Sequence, residues 1–362
     1  LSNGGPTDLV TAAAPLAPGA ELELVVPFAP TVPWSGVQVT KAGFHGAQKG
    51  TGTSFTSDCA SGVRISATHE GGAKLRVESI VAHAPPAPQP EWLGQRPPVE
   101  GEWERTFADE FEGTDVDQAR WNFYGVNYWD KVSHWSKDNT IVGDGVVTLR
   151  YEKKTGFHND DPRPQKEGGH ATLSGRNESP YQSGFLETYG KWTQRYGYFE
   201  ARVKLPAAPG LWCGFWLMPD RGAEAGPQWK RQHTGDGGME FDIMEHLTRW
   251  GGRRYNIAMH WDGYQKDHKS IGTSNTYARP DPDGFITSGL LWLPGQAVYY
   301  ANGNEVARWE SPRVGSVPCD MMFTLHAGGW DNDGVDDGRL PIDFVIDYVR
   351  VWQRKDLLPA DK

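Results

Sequence analysis

The chain has 362 residues, a formal net charge of −10 and 38% hydrophobic residues, which allows one large domain with an ample core and one small companion. The acidic balance excludes a surface that grips nucleic acid as a whole, and no run approaches the roughly 18 apolar residues of a membrane-spanning helix. With 44 glycines and 26 prolines beside 16 tryptophans, 13 tyrosines and 14 phenylalanines, short strands, many turns and an aromatic groove are expected.

In chain order, no basic-then-apolar leader stands at Leu1, which is read as a cloned or mature start. Residues 1–83 carry short β-branched runs, at 21–26 (ELELVV) and 37–39 (VQV), separated by Gly and Pro. They are expected to form a small β-sandwich-like domain. With only Phe28, Trp34, Phe44 and Phe55 as aromatics of note, it is either a carbohydrate-binding module or a structural unit. Residues 84–98 (APPAPQPEWLGQRPP) read as a stiff linker, because proline blocks both helices and sheet ladders. The alternative is a segment that wraps around the main domain.

Residues 99–353 form the main domain, and 354–362 a tail. Strands are expected at 146–151, 198–205, 239–245, 297–301 and 344–352, rich in β-branched and aromatic residues. Turn clusters separate them, and Asn302-Gly303-Asn304 is placed for a tight hairpin. No long 3.6-residue apolar period occurs, so the economical fold is an all-β sandwich of about 250 residues, curved around a groove. Cys59, Cys213 and Cys319 have no metal-ligand spacing; a Cys213–Cys319 disulfide and three free thiols are both open.

The chemistry sits in Gly237-Gly238-Met239-Glu240-Phe241-Asp242-Ile243-Met244-Glu245. Alternate residues of a strand share a face, so Glu240 and Asp242 point one way and Phe241 and Ile243 the other. Regular pleating would bury Glu245 unpaired on the packed side, at high cost. One extra residue, a β-bulge at Ile243-Met244, brings it back to the face of Glu240 and Asp242. Three acids so close cannot all ionise, and at least one must hold its proton. That division suits a glycosidase, with one carboxylate as nucleophile and one carboxylic acid as proton donor, roughly 5–5.5 Å apart in a retaining enzyme. A solvated acidic face is a poor rival beside these apolar residues, and carboxylate-only ion sites usually lie on loops.

The hexapeptide E-F-D-I-M-E resembles the E-x-D-x-x-E signature of glycoside hydrolase family 16 in its bulged form. The segments TFADEF at 106–111, YGYFEAR at 196–202, LWCGFWLM at 211–218 and IDYVRVW at 346–352 match in order, so the resemblance spans about residues 100–353. It implies a concanavalin-like β-jelly-roll sandwich with a cleft across its concave sheet. It also implies Glu240 as nucleophile, Asp242 as the assisting aspartate and Glu245 as acid/base. No organic cofactor is implied. A structural Ca²⁺ on the convex side is, held by the backbone carbonyls of Glu110 and Gly145 and the carboxylate of Asp347.

Sugar rings stack their C–H faces on indoles. Trp212 and Trp216, four apart on one strand, are placed to share a face and by resemblance flank the scissile bond, with core packing between Phe215 and Leu217 an equal alternative for Trp216, and Trp330 lines the cleft elsewhere. His260 is expected beside the catalytic strand, either bonding a substrate hydroxyl, tuning Glu245 or serving structure. Asn127 and Trp129 are further cleft candidates. The loop TRWGGRRY at 248–255 places Arg249 and Arg254 near the acid/base, where guanidinium would suit a sulfated or otherwise anionic glycan.

The sequence therefore reads as a monomeric, secreted, periplasmic or cell-surface, retaining endo-β-glycosidase whose partner is a polysaccharide. A β-1,3-glucan of laminarin type is the first expectation. An algal, possibly sulfated galactan (agar, porphyran or carrageenan) is the second, and a non-catalytic glycan-binding protein the rival from another class.

Overall fold

The computed structural model describes residues 14–24, 37–41, 44–48, 65–66, 68, 74–81, 89–124, 132–157, 178–220, 231–328 and 334–357. Cys59, Asn127, Trp129 and Trp330 lie outside them, so the expectations placed on these residues are neither met nor overturned.

Among the described residues there is no α-helix, only strands and short 3-10 turns. β1 (Val37–Lys41) and β2 (Phe44–Gln48) form a hairpin, and β3 (Trp103–Asp109) opens the main domain. β4 (Ser133–Trp135), β5 (Thr140–Gly143), β6 (Val146–Tyr151), β7 (Gly156–Phe157) and β8 (Glu178–Ser179) follow. Next come β9 (Tyr181–Ser183), β10 (Phe185–Glu187), β11 (Gly197–Lys204), β12 (Leu211–Pro219) and β13 (Glu240–Leu247). The last are β14 (Arg254–Trp261), β15 (Lys269–Tyr277), β16 (Ile286–Leu293), β17 (Gln296–Ala301), β18 (Asn304–Glu310), β19 (Cys319–Ala327) and β20 (Ile342–Arg354).

Two antiparallel sheets carry the architecture. The larger runs β1-β2-β18-β17-β16-β11-β20-β6-β5, with β3 also paired to β20; the smaller runs β10-β19-β12-β13-β14-β15. Period-two burial explains why they stack. β6 buries Val147, Leu149 and Tyr151 and leaves Val146, Thr148 and Arg150 half-buried. Phe199, Ala201 and Val203 of β11 and Phe344 and Ile346 of β20 meet Cys213, Phe215 and Leu217 of β12 and Phe241 and Ile243 of β13 in one core. Residues on the other face of β12, β13, β14 and β19 are left to line a cleft. Asn302 and Gly303 both take positive φ, as a two-residue hairpin between β17 and β18 requires.

The N-terminal region contributes to the same sheet, since β2 pairs with β18. Residues 21–24, within a run expected to be a strand, carry none and leave Leu22 and Leu24 exposed. Residues 89–98, inside the proline-rich segment, lie on the outer face of the larger sheet. Trp92 meets Tyr198 and Tyr300 edge-on at 6.2 and 5.9 Å, and Arg350 Nη1 donates to the Gly94 carbonyl at 2.6 Å. Cys213 and Cys319 are buried free thiols. Cys213 opposes Leu325 whereas Cys319 opposes Pro219, so their register keeps them several residues too far apart for a disulfide.

Beneath Trp92 and Gly94 lies Glu200, fully buried, accepting from the hydroxyls of Tyr198 at 2.8 Å and Tyr348 at 3.0 Å. Burial pushes its carboxyl up to about 7 from 4.5, against the pull of the two tyrosines and Arg350. The folded state thus holds a proton that the unfolded chain releases. Stability from this group is complete below about pH 4.5 and lost as pH rises through about 7, a change of about 3 kcal/mol. Denaturant titrations across that window should show this slope in the wild type and lack it in Glu200→Gln.

Candidate active site

The acid ladder lies on β13 in the middle of the smaller sheet, and its register against both neighbours slips by one residue. Asp242 pairs with Ala258 and Glu245 with Asn256 of β14, while Asp242 pairs with Trp216 and Met244 with Phe215 of β12. The additional residue is on β13 in both cases, which is the expected bulge. Ile243 and Met244 both enter the core, and Glu245 returns to the cleft face beside Glu240 and Asp242. The Ile243 carbonyl accepts from Ser288 Oγ of the opposite sheet at 2.9 Å, so the carbonyl at the bulge stays satisfied in the core.

The three carboxyls sit in graded environments. Asp242 is 2% exposed and hydrogen-bonded to Glu240. Burial first, then the Glu240 charge and their shared hydrogen bond, hold its carboxyl well above the usual range. Glu245, open on one side to the cleft, is also raised well above that range, chiefly by burial and then by Asp242, with Asn256 opposing. Asn256 Nδ2 donates to Glu245 Oε2 at 2.6 Å and orients it. The arrangement therefore favours the protonated form of Asp242 and of Glu245. A protonated Glu245 is what a general acid requires.

The sequence reading missed the cap on Glu240. Tyr264 Oη donates to Glu240 Oε2 at 2.9 Å and lies 3.1 Å from the Met239 carbonyl. Asp262 and Gly263, both at positive φ, turn the chain after β14 and bring this tyrosine over the sheet. His260, as expected, lies beside the catalytic strand, paired in register with Glu240, and its Nε2 is 3.0 Å from Asp242 Oδ2. Its Nδ1 is 2.8 Å from His268 Nε2, and the His268 ring stacks on both His260 and Tyr264. Tyr264→Phe should lower kcat about 10- to 100-fold, the worth of one hydrogen bond to a charged group, with a smaller change in KM. Steady-state kinetics on a purified, correctly melting variant would check this.

Trp212 and Trp216 share the cleft face, but differently. Trp212 is half-buried and stands edge-on to His326 at 5.6 Å. Trp216 is 5% exposed, packs with Trp135, Phe185, Met218 and Met322, and donates from Nε1 to Thr324 Oγ1 at 3.1 Å. Of the two readings of Trp216, its burial favours wall support over sugar platform; Trp212 is the more exposed of the two indoles. Arg249 is exposed on the loop after β13, and Arg254 begins β14.

Of the expected calcium ligands, the backbone carbonyls of Glu110 and Gly145 and the carboxylate of Asp347, only Asp347 brings a negative charge. Asp347 Oδ2 accepts from Arg202 Nη1 at 2.6 Å. Gly145 turns between β5 and β6 at positive φ. A guanidinium already neutralises the carboxylate that a cation would need. Potential ligand atoms of Glu240, Asp242 and His260 come within 4.8 Å of one another, but these are the acid ladder itself.

An antiparallel two-sheet sandwich with three acids on a bulged strand in the middle of its smaller sheet fits the glycoside hydrolase class of jelly roll. Residues 127–350 match the model of Glycosyl hydrolases family 16, more than half of the chain, and the chain belongs to that family. It is 28% identical over 266 residues to endo-1,3-1,4-β-glycanase ExsH of Rhizobium meliloti, covering 68% of this chain and 51% of that protein. It is 27% identical over 272 residues to a β-glucanase of Rhodothermus marinus, covering 69% and 85% respectively. The catalytic domain of an endo-1,3-β-glucanase (laminarinase) from Thermotoga petrophila shares the fold, with a TM-score of 0.54, 20% identity, and coverage of 71% of this chain and 100% of that one.

Proposed function

We propose that this chain is an endo-acting, retaining glycoside hydrolase that cleaves internal β-1,3 linkages of a β-glucan. The observation that carries the proposal is the bulge, which sets Glu240, Asp242 and Glu245 on one open face. The names of the two sequence relatives, an endo-1,3-1,4-β-glycanase and a β-glucanase, support the substrate class.

Glu240, hydrogen-bonded to Asp242 and Tyr264, attacks the anomeric carbon. Glu245 gives its proton to the leaving oxygen as that bond breaks. The glycosyl ester on Glu240 no longer carries charge, and the Glu245 carboxylate then takes a proton from water, which opens the ester and restores both acids. Asp242, 2% exposed and hydrogen-bonded to Glu240, holds the nucleophile in place. A polymer cannot enter a cell, so the site of action is outside the cytoplasm. No helix among the described residues is long and apolar enough to cross a membrane.

Reducing-end release from laminarin, lichenan, agarose, porphyran and carrageenans, with early NMR of the new anomers, tests the proposal. Laminarin should be cut with the β-anomer appearing first and viscosity falling ahead of sugar release. Initial α-anomers would refute retention, and cleavage of galactans alone would refute the glucan.

A further inference from the structure

The reaction uses none of the arginines between β13 and β14. Arg249 and Arg253 are exposed on the loop, but Arg254 is placed differently. Tyr255, Ile257 and Met259 of β14 face the core, so Arg254 falls on the cleft side with Asn256, Ala258 and His260. It is two residues, about 7 Å, from the asparagine that holds the acid/base. Its guanidinium lies 4.6 Å over the Trp250 ring and 5.8 Å from that of Tyr277, and its Nε donates to the Ser274 carbonyl at 2.7 Å. The backbone beneath is pinned as well: His246 bridges the Arg254 and Pro206 carbonyls, each at 2.7 Å from a ring nitrogen.

What this cation lacks is an anion. Arg150, Arg202, Arg308, Arg350 and Arg354 each pair with a carboxylate. Among the described residues none pairs with Arg254, in a chain with 46 acidic and 36 basic residues, and its Nη2 is buried with no acceptor. A guanidinium held flat by two rings, with donors unspent, is a preformed receptor for an oxyanion. We propose that Arg254, backed by Trp250, forms a subsite for a sulfate or carboxylate group carried on a sugar of the bound glycan. The substrate is then a β-glucan decorated with acidic substituents, a refinement that rests on the glucan-cleaving reading above.

The test uses the Glu240→Gln protein, so that ligands bind without turnover. Short β-1,3-gluco-oligosaccharides, plain, singly sulfated or singly carboxymethylated, are titrated by calorimetry at low and high salt. At least one acidic form should bind about tenfold or more tightly than the plain one at low salt, with the advantage shrinking at high salt. The sulfated and carboxymethylated arms show which oxyanion the subsite takes. Adding Arg254→Gln should bring the acidic-to-plain ratio to near one, and Arg254→Lys should retain part of it. Equal affinity for plain and acidic forms in the protein that keeps Arg254 overturns the subsite and leaves the glucan reading standing. Binding of neither overturns both.

Discussion

Glu240→Gln should reduce kcat on β-1,3-glucan by about 10⁴-fold or more, while the melting temperature holds or rises. The amide is nearly the same size, so it keeps the hydrogen-bonding room beneath Tyr264 but cannot form a glycosyl ester. Stability should not suffer, because the nearly isosteric amide takes a negative charge out of a buried position that is 9% exposed. The informative arm is rescue. In a Glu240→Ala protein, azide can occupy the vacated space and attack an aryl β-glucoside with a good leaving group, giving a glycosyl azide of inverted configuration. Recovery of turnover with that product identifies Glu240 as the nucleophile. Unchanged turnover in Glu240→Gln would remove it from the mechanism altogether.

Much of this site was legible in the sequence because it obeys parity. The alternation of Glu240, Phe241, Asp242 and Ile243 fixes two faces, and the cost of burying Glu245 unpaired forces an irregularity at one place, where the structure has it. The same rule applied to β14 would have shown Asn256 on the face of His260. Tyr264 was not legible, since it arrives from a loop whose path depends on two positive-φ residues. Trp216 stayed open between sugar platform and core packing for a related reason. Its face followed from alternation, but its cover, Trp135 and Phe185, comes from strands distant in sequence. The pairing of β2 with β18 also lies beyond local pattern, because an open sheet edge accepts any strand of suitable shape.

The bulge itself yields the sharpest contrast, between one residue removed and one residue added. β13 carries one residue in excess of both β12 and β14, so deleting Met244 returns the strand to regular pairing on both sides. Glu245 then follows Ile243 directly, and alternation still delivers it to the cleft face. The deletion empties a fully buried Met244 site and displaces the carbonyl held by Ser288, at a cost of about 2–5 kcal/mol. It should nevertheless fold and keep measurable hydrolysis. Inserting one alanine after Met244 has the opposite result. Glu245 turns toward the core, the acid leaves the cleft, and turnover of polymer should fall by about 10⁴-fold or more, with a protein that melts earlier or fails to fold. Glu245→Gln, which keeps the bulge, separates loss of the acid from loss of the fold: it should lose most activity on polymer yet retain far more on aryl glycosides whose leaving group needs no proton. An insertion variant as active as the deletion variant would mean that Glu245 reaches the sugar by some route other than strand parity.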